Sequence, residues 1–192
     1  WTSGFDSAMH NAPGNVTLIS HSGAGMSGII DCEERLRINL AVSAGNELST
    51  TMDEYLDFAL ELPETRVVGL FLETARNPDG FRLALEKAAR RRIPIVVLKV
   101  GRTAKSAQLT VSHSGAMAGD EATYAALFDR YGVQRARDQD EFTTMLILFA
   151  ELHPVGAGGL VSLHDSGGER QLLVDLADDA GVPLTELCED TV

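Results

Sequence analysis

The stretch VSHSGAMAGD, residues 111–120, sets an imidazole among residues too small to pack around it. His113 lies between Ser112 and Ser114 and runs into Gly115, Ala116 and Gly119. Such a loop favours mobility and close approach of backbone to a ligand. A neutral imidazole is a competent nucleophile near pH 7 when its other nitrogen is held by a partner. Two further stretches carry groups of chemical interest. HSGAG (21–25) is a Ser/Gly turn entering a helical segment, and the amides of the helix start after Ser22 and Gly23 suit an anion. FLET (71–74) closes an apolar run with a carboxylate, Glu73. Each also has a plainer reading: a capped helix start, a solvated loop carboxylate, an incidental histidine. What separates the readings is whether the fold brings the three stretches together.

The elements that must position them are legible as alternation. VTLIS (16–20), INLAVSAG (38–45), VVGLFLE (67–73), IPIVVLKV (93–100) and a short run at VQRA (133–136) are predicted strands. Between them lie predicted helices from about Ser22 to Arg37, over TMDEYLDFALEL, over PDGFRLALEKAARRR with Pro78 in its first turn, and over EATYAALFDRYG. DEFTTMLILFAEL follows the last strand as another helix. Strands apolar on both faces, alternating with helices, predict an α/β fold with a doubly wound parallel sheet of flavodoxin-like order 2-1-3-4-5. In such sheets ligands bind beyond the carboxyl ends of the strands, where the strand order reverses. HSGAG follows the first strand, Glu73 ends the third, and the His113 loop follows the fourth. All three are expected on one edge.

Residues 1–13 read as a leading segment and 14–152 as the first domain. HPVGAGG (153–159) is a predicted linker, and 160–192 hold one βαβ unit: GLVSLH, the helix SGGERQLLVDLADDAG, and PLTEL. Three elements cannot bury a core alone, so this is read as the start of a second, similar domain. Its apolar helix face, with Leu172, Leu173, Val174 and Leu176, is expected to pack on another copy of the chain as a homo-oligomer or to be poorly ordered.

The formal net charge of -12 argues against nucleic acid or an anionic membrane as partner. Any phosphate must be held by loop amides and helix dipoles. Two distant cysteines, Cys32 and Cys188, without metal-type spacing, suggest a reducing, cytoplasmic setting and no metal site. No apolar run reaches membrane-spanning length. Neither Ser22 nor Ser114 sits in G-x-S-x-G, which argues against a serine hydrolase. A first strand ending in Ser-His, not in acidic residues, argues against a receiver domain. A non-catalytic flavodoxin-like module holding phosphate or flavin stays open, although the three loops contain no Trp or Tyr for stacking.

The run VTLISHSG, then FLE, then SHSGAMAGD resembles the NDP-forming acyl-CoA synthetases, relatives of the succinyl-CoA synthetase α subunit. SHSGAMAG is close to the SHTGAxAG-like stretch that holds that family's phosphorylated histidine. VTLISHSG is similar to its VALISQSG, with His21 where Gln is more usual. The resemblance implies an acid–CoA ligase in which acyl-CoA, phosphate and ADP exchange for acid, CoA and ATP through an acyl phosphate and a phosphohistidine. It makes His113 the phosphoryl carrier and Glu73 the carboxylate that orients its ring. It implies a phosphate cradle from Ser22 and Gly23, from Ser114 and Gly115 of the loop, and from Ser166, Gly167 and Gly168 at the second unit's helix start. It implies as partners the family's CoA-binding and ATP-grasp domains, with Mg²⁺ accompanying ATP or ADP. No GxGxxG-like fingerprint occurs here, so the chain by itself is expected to bind no cofactor and to be inactive.

Overall fold

A computed structural model describes residues 14–33, 35–106, 108, 120–152 and 159–185. The chain divides into two compact units between Glu151 and Leu152.

In the first unit, β1 (Val16–Ser20), β2 (Ile38–Ser43), β3 (Val67–Leu72), β4 (Ile95–Lys99) and β5 (Gln134–Ala136) form a five-stranded sheet in the order β2-β1-β3-β4-β5. Every pairing is parallel. This is the doubly wound order expected from the alternation. The register aligns the carboxyl ends: Ser20 lies opposite Ser43 and Phe71, and Leu72 opposite Lys99. Everything that follows a strand therefore emerges on one edge.

Successive strand residues point to opposite faces, and both faces are buried. Ile19, Val68, Leu70 and Val97 face one cluster, with α2 (Met52–Ala59), α3 (Pro78–Arg91) and α4 (Glu121–Tyr131). Val16, Leu18, Val67 and Val96 face the other, with α1 (Gly23–Cys32) and α5 (Gln139–Glu151). Gly69 is required where α5 meets the sheet: a Cβ there would lie 2.9 Å from the Phe142 ring and 2.9 Å from Leu146.

Local chemistry sets the helix ends. Pro78 opens α3 behind Asn77, whose side chain accepts the Gly80 N–H at 3.2 Å. Asp120 caps α4 by accepting the Thr123 N–H at 3.0 Å, and Gly132 ends that helix at φ 66. The first helix is shorter than its apolar pattern suggests, stopping at Cys32 and not near Arg37. The Glu33 carboxylate accepts the Arg35 N–H at 3.0 Å and its Nε–H at 2.7 Å, a local alternative to the helical ladder, and Leu36 then turns into the core.

The second unit holds α6 (Gly167–Asp179) and a single parallel bridge, Leu160 to Leu184. The two expected strands make no longer ladder among the described residues, as suits a lone, uncovered pair. Leu163 is 90% exposed, Leu172 58% and Leu176 55%, and Ala177 is the unit's buried apolar side chain among the described residues.

Candidate active site

Ser22 and Gly23 occupy the expected helix start. The Ser20 hydroxyl accepts the Ser22 N–H at 3.0 Å and donates to the Ser22 carbonyl at 2.8 Å, which folds the chain sharply off β1. Ser22 is the N-cap of α1 and its Oγ accepts the Gly25 N–H at 3.1 Å. Gly25 lets the helix start lie against β3, since a Cβ there would sit 3.2 Å from the Phe71 ring. The next bond of the ladder runs from the Met26 N–H to the Ser22 carbonyl. Among the described residues nothing accepts the N–H groups of Gly23 and Ala24, and both residues are exposed. Two amides at the positive end of a helix therefore face outward at the carboxyl edge of the sheet.

Glu73 follows β3 directly, and its main chain is gripped from both sides. Its N–H donates to Nδ1 of His21 at 2.9 Å. Its carbonyl accepts a bond from Nζ of Lys99 at 2.7 Å, and the same ammonium bonds the Val100 carbonyl at 2.5 Å. The ends of β1, β3 and β4 thus meet at one residue. Lys99 is itself buried, and its Nζ stands 4.8 Å from the centre of the Tyr124 ring. Burial pushes this ammonium below its ordinary range; the Glu121 and Glu73 carboxylates oppose the shift, and Arg102 adds to it. The Tyr124 hydroxyl accepts the Ala75 N–H at 2.7 Å, so α4 also holds the turn after Glu73.

The bond to Glu73 assigns the His21 ring. A backbone N–H can only donate, so Nδ1 carries a lone pair and the ring proton sits on Nε2. Nε2 lies 3.0 Å from Oε1 of Glu47 and donates to it. Both ring nitrogens are thus committed, and the side chain is 4% exposed. It belongs to the scaffold of the site.

The catalytic histidine expected from the sequence, His113, lies outside the described residues, with Ser114 and Gly115. The strand that leads to them ends at Lys99, beside Glu73. In the second unit, Ser166 is the N-cap of α6 but makes no side-chain cap bond, and Gly167 and Gly168 are exposed. The structure thus brings Glu73 together with the Ser22-Gly23 helix start. Lys99, Tyr124 and Glu47 complete this edge without having been expected from the sequence. One signal for Lys99 was available: a lysine closing the otherwise apolar strand IVVLK has to find buried acceptors. No local pattern marks Glu47 or Tyr124. Among the described residues there is no group of three or more His, Cys, Asp or Glu side chains placed to hold a metal ion. No helix among them is long and apolar enough to cross a membrane.

A doubly wound sheet with helix-start amides and a clamped glutamate on its carboxyl edge has the architecture of the open α/β domains that bind ligands at that edge. Residues 13–149 match the family described as the succinyl-CoA ligase like flavodoxin domain, and the chain belongs to that family. A trans-feruloyl-CoA synthase of an unknown prokaryotic organism is 30% identical over 81% of the chain, which spans 22% of that protein. An ADP-forming acetate–CoA ligase of Methanocaldococcus jannaschii is 28% identical over 93% of the chain, which spans 25% of it. Among solved structures, a dinucleotide forming acetyl-coenzyme A synthetase 1 of Ca. Korarchaeum cryptofilum, in complex with phosphate and ADP, superposes with a TM-score of 0.76 at 31% identity. That match covers 92% of this chain and 39% of the other. The chain thus spans well under half the length of these relatives.

Proposed function

We propose that this chain is the phosphohistidine-bearing part of an NDP-forming acid–CoA ligase. In this reading phosphate displaces CoA from an acyl-CoA, giving an acyl phosphate. His113 takes the phosphoryl group and releases the free acid, and the group then passes to ADP, giving ATP. A neutral ring nitrogen attacks phosphorus while the other nitrogen is held by a carboxylate, which also stabilises the cationic ring of the phosphorylated state. Glu73 is that carboxylate. The outward amides of Gly23 and Ala24, behind the Ser22 cap, meet the phosphoryl oxygens, and Ser114 and Gly115 are proposed to do so from the carrier loop. Ser166, Gly167 and Gly168 supply a second cradle of the same kind. CoA-binding and ATP-grasp parts are the proposed partners, and Mg²⁺ travels with the nucleotide.

The observation that carries this reading is the clamp on Glu73, N–H to His21 and carbonyl to Lys99. A solvated loop carboxylate has no need for its peptide to be tied to the ends of two neighbouring strands. One end is the strand from which the His113 loop departs. An orienting carboxylate does need it, because its direction depends on its main chain.

The test is to incubate the complete enzyme with γ-labelled ATP and Mg²⁺ and locate acid-labile phosphate by mass spectrometry. Label on His113 is expected, absent in His113→Ala and slower to appear in Glu73→Gln. Label on another residue overturns the assignment. No label at all favours a phosphate- or flavin-binding module without chemistry.

A further inference from the structure

The phosphoryl-transfer reading uses the bond from Glu73 to His21 but leaves unused the buried partner of that ring, Glu47. Glu47 lies on the loop between β2 and α2, and its side chain has no exposed surface. Its Oε1 accepts from His21 Nε2 at 3.0 Å and from the Met52 N–H at 2.5 Å. Met52 is the first residue of α2, so the carboxylate also sits at the positive end of a helix. Oε2 makes no hydrogen bond among the described residues and faces Nε of Arg76 at 3.5 Å. Arg76 comes from the loop after β3, three residues beyond Glu73. Glu47 holds φ at 51, in the left-handed region that few residues with a side chain occupy.

The polarity of the network runs one way. Glu47 is an acceptor for two N–H groups and faces the Arg76 guanidinium at 3.5 Å. His21 therefore donates through Nε2 and presents a lone pair on Nδ1. That lone pair is the one thing in the network that the Glu73 N–H can use. Turning the ring over would put Cδ2 where Nδ1 stands and lose this bond, and a proton on Nδ1 would set a donor against a donor.

We propose that His21, oriented by Glu47, is the positioning residue that sets the main chain of Glu73, and through it the direction of the carboxylate used in phosphoryl transfer. This inference rests on the reading of Glu73 given above. It also accounts for the departure at this position. The glutamine usual in the resembling pattern carries an acceptor and a donor on one planar group, and an imidazole of fixed tautomer offers the same pair.

Two measurements test it. The first uses this chain: ¹⁵N shifts of the His21 ring at neutral pH are expected to show an unprotonated Nδ1 and a protonated Nε2. A protonated Nδ1 overturns the proposal whatever the reaction. The second uses the complete enzyme and the rate of His113 labelling. His21→Leu keeps bulk but removes the acceptor. It is expected to slow labelling about 10- to 100-fold, with the KM for ATP unchanged, while His21→Gln stays within about fivefold of the parent. Parent-like labelling in His21→Leu overturns the proposal, as does a His21→Gln variant as slow as His21→Leu. Should His21→Leu fail to fold, the ring shifts and His21→Gln still decide. If the parent enzyme labels elsewhere than His113, the phosphohistidine reading fails while the shifts still report on His21.

Discussion

Two helices in this chain begin with the same letters, Ser-Gly, and are held quite differently. At Ser22 the hydroxyl caps the helix, Ser20 braces the turn before it, and the adjoining His21 ties that turn to β3 and to Glu47. At Ser166 the carbonyl accepts the Arg170 N–H at 3.1 Å as the helix begins, but the side chain makes no cap bond and its neighbours are exposed. The same contrast runs through the two units. The first closes a core over both faces of its sheet, whereas the second leaves Leu163, Leu172 and Leu176 in solvent. A local pattern is enough to start a helix. Holding its amides in a fixed direction takes neighbours from elsewhere in the chain.

The contrast is broken most readily in the cores. Phe142 has no exposed surface and fills the space over Gly69, so Phe142→Ala is expected to lower stability of the first unit by about 3–5 kcal/mol. Leu163→Ala, at a side chain 90% exposed, is expected to change stability by less than about 0.5 kcal/mol. Urea unfolding of the two variants checks this. A comparable loss in both would mean that the second unit's apolar side chains are covered in solution.

The caps sharpen the comparison at a smaller scale. Ser22→Ala removes an acceptor for the Gly25 N–H and is expected to cost about 1 kcal/mol by the same assay. Ser166→Ala removes no side-chain cap bond and is expected to cost far less. Equal costs would show that Ser166 caps its helix in solution.

The smallest expected effect is one of pH, and it belongs to the first unit. Burial holds the Lys99 ammonium below its reference value of 10.5, so the folded chain gives up this proton at lower pH than the unfolded chain. Between the two values the unfolded state binds more protons, and stability from this group rises with pH. Urea midpoints measured from neutral pH to about 10.5 are expected to carry that rise in the parent chain and lose it in Lys99→Met. An unchanged slope in Lys99→Met would mean that the ammonium is solvated after all.

Much of this architecture could be read in advance, for identifiable reasons. Strands such as VVGLFL and IVVLK are apolar on both faces because helices cover both faces, and that doubling is visible in one dimension. Helix starts were legible at Ser22, a favoured cap, and at Pro78, which suits a first turn. The end of α1 was not, because the apolar pattern runs on through Leu36 while the Glu33–Arg35 bonds turn the chain at Cys32. In the second unit the apolar letters signal strands, but the described residues hold just the Leu160–Leu184 bridge, since a ladder needs partners.

By itself, then, the sequence determined the alternation of elements, their order in the sheet, and so the edge on which Ser22, Gly23 and Glu73 would lie, because periodicity and parallel topology are properties of a chain read residue by residue. It also marked His113 through its neighbours. Only the tertiary structure decided what His21 does. Whether an imidazole is a nucleophile or a strut depends on what its two nitrogens meet, and here they meet a peptide N–H 52 residues away and a carboxylate 26 residues away. Lys99 and Glu73 are likewise 26 residues apart in the chain. Contacts at that range leave no local pattern, because they are selected by packing in three dimensions.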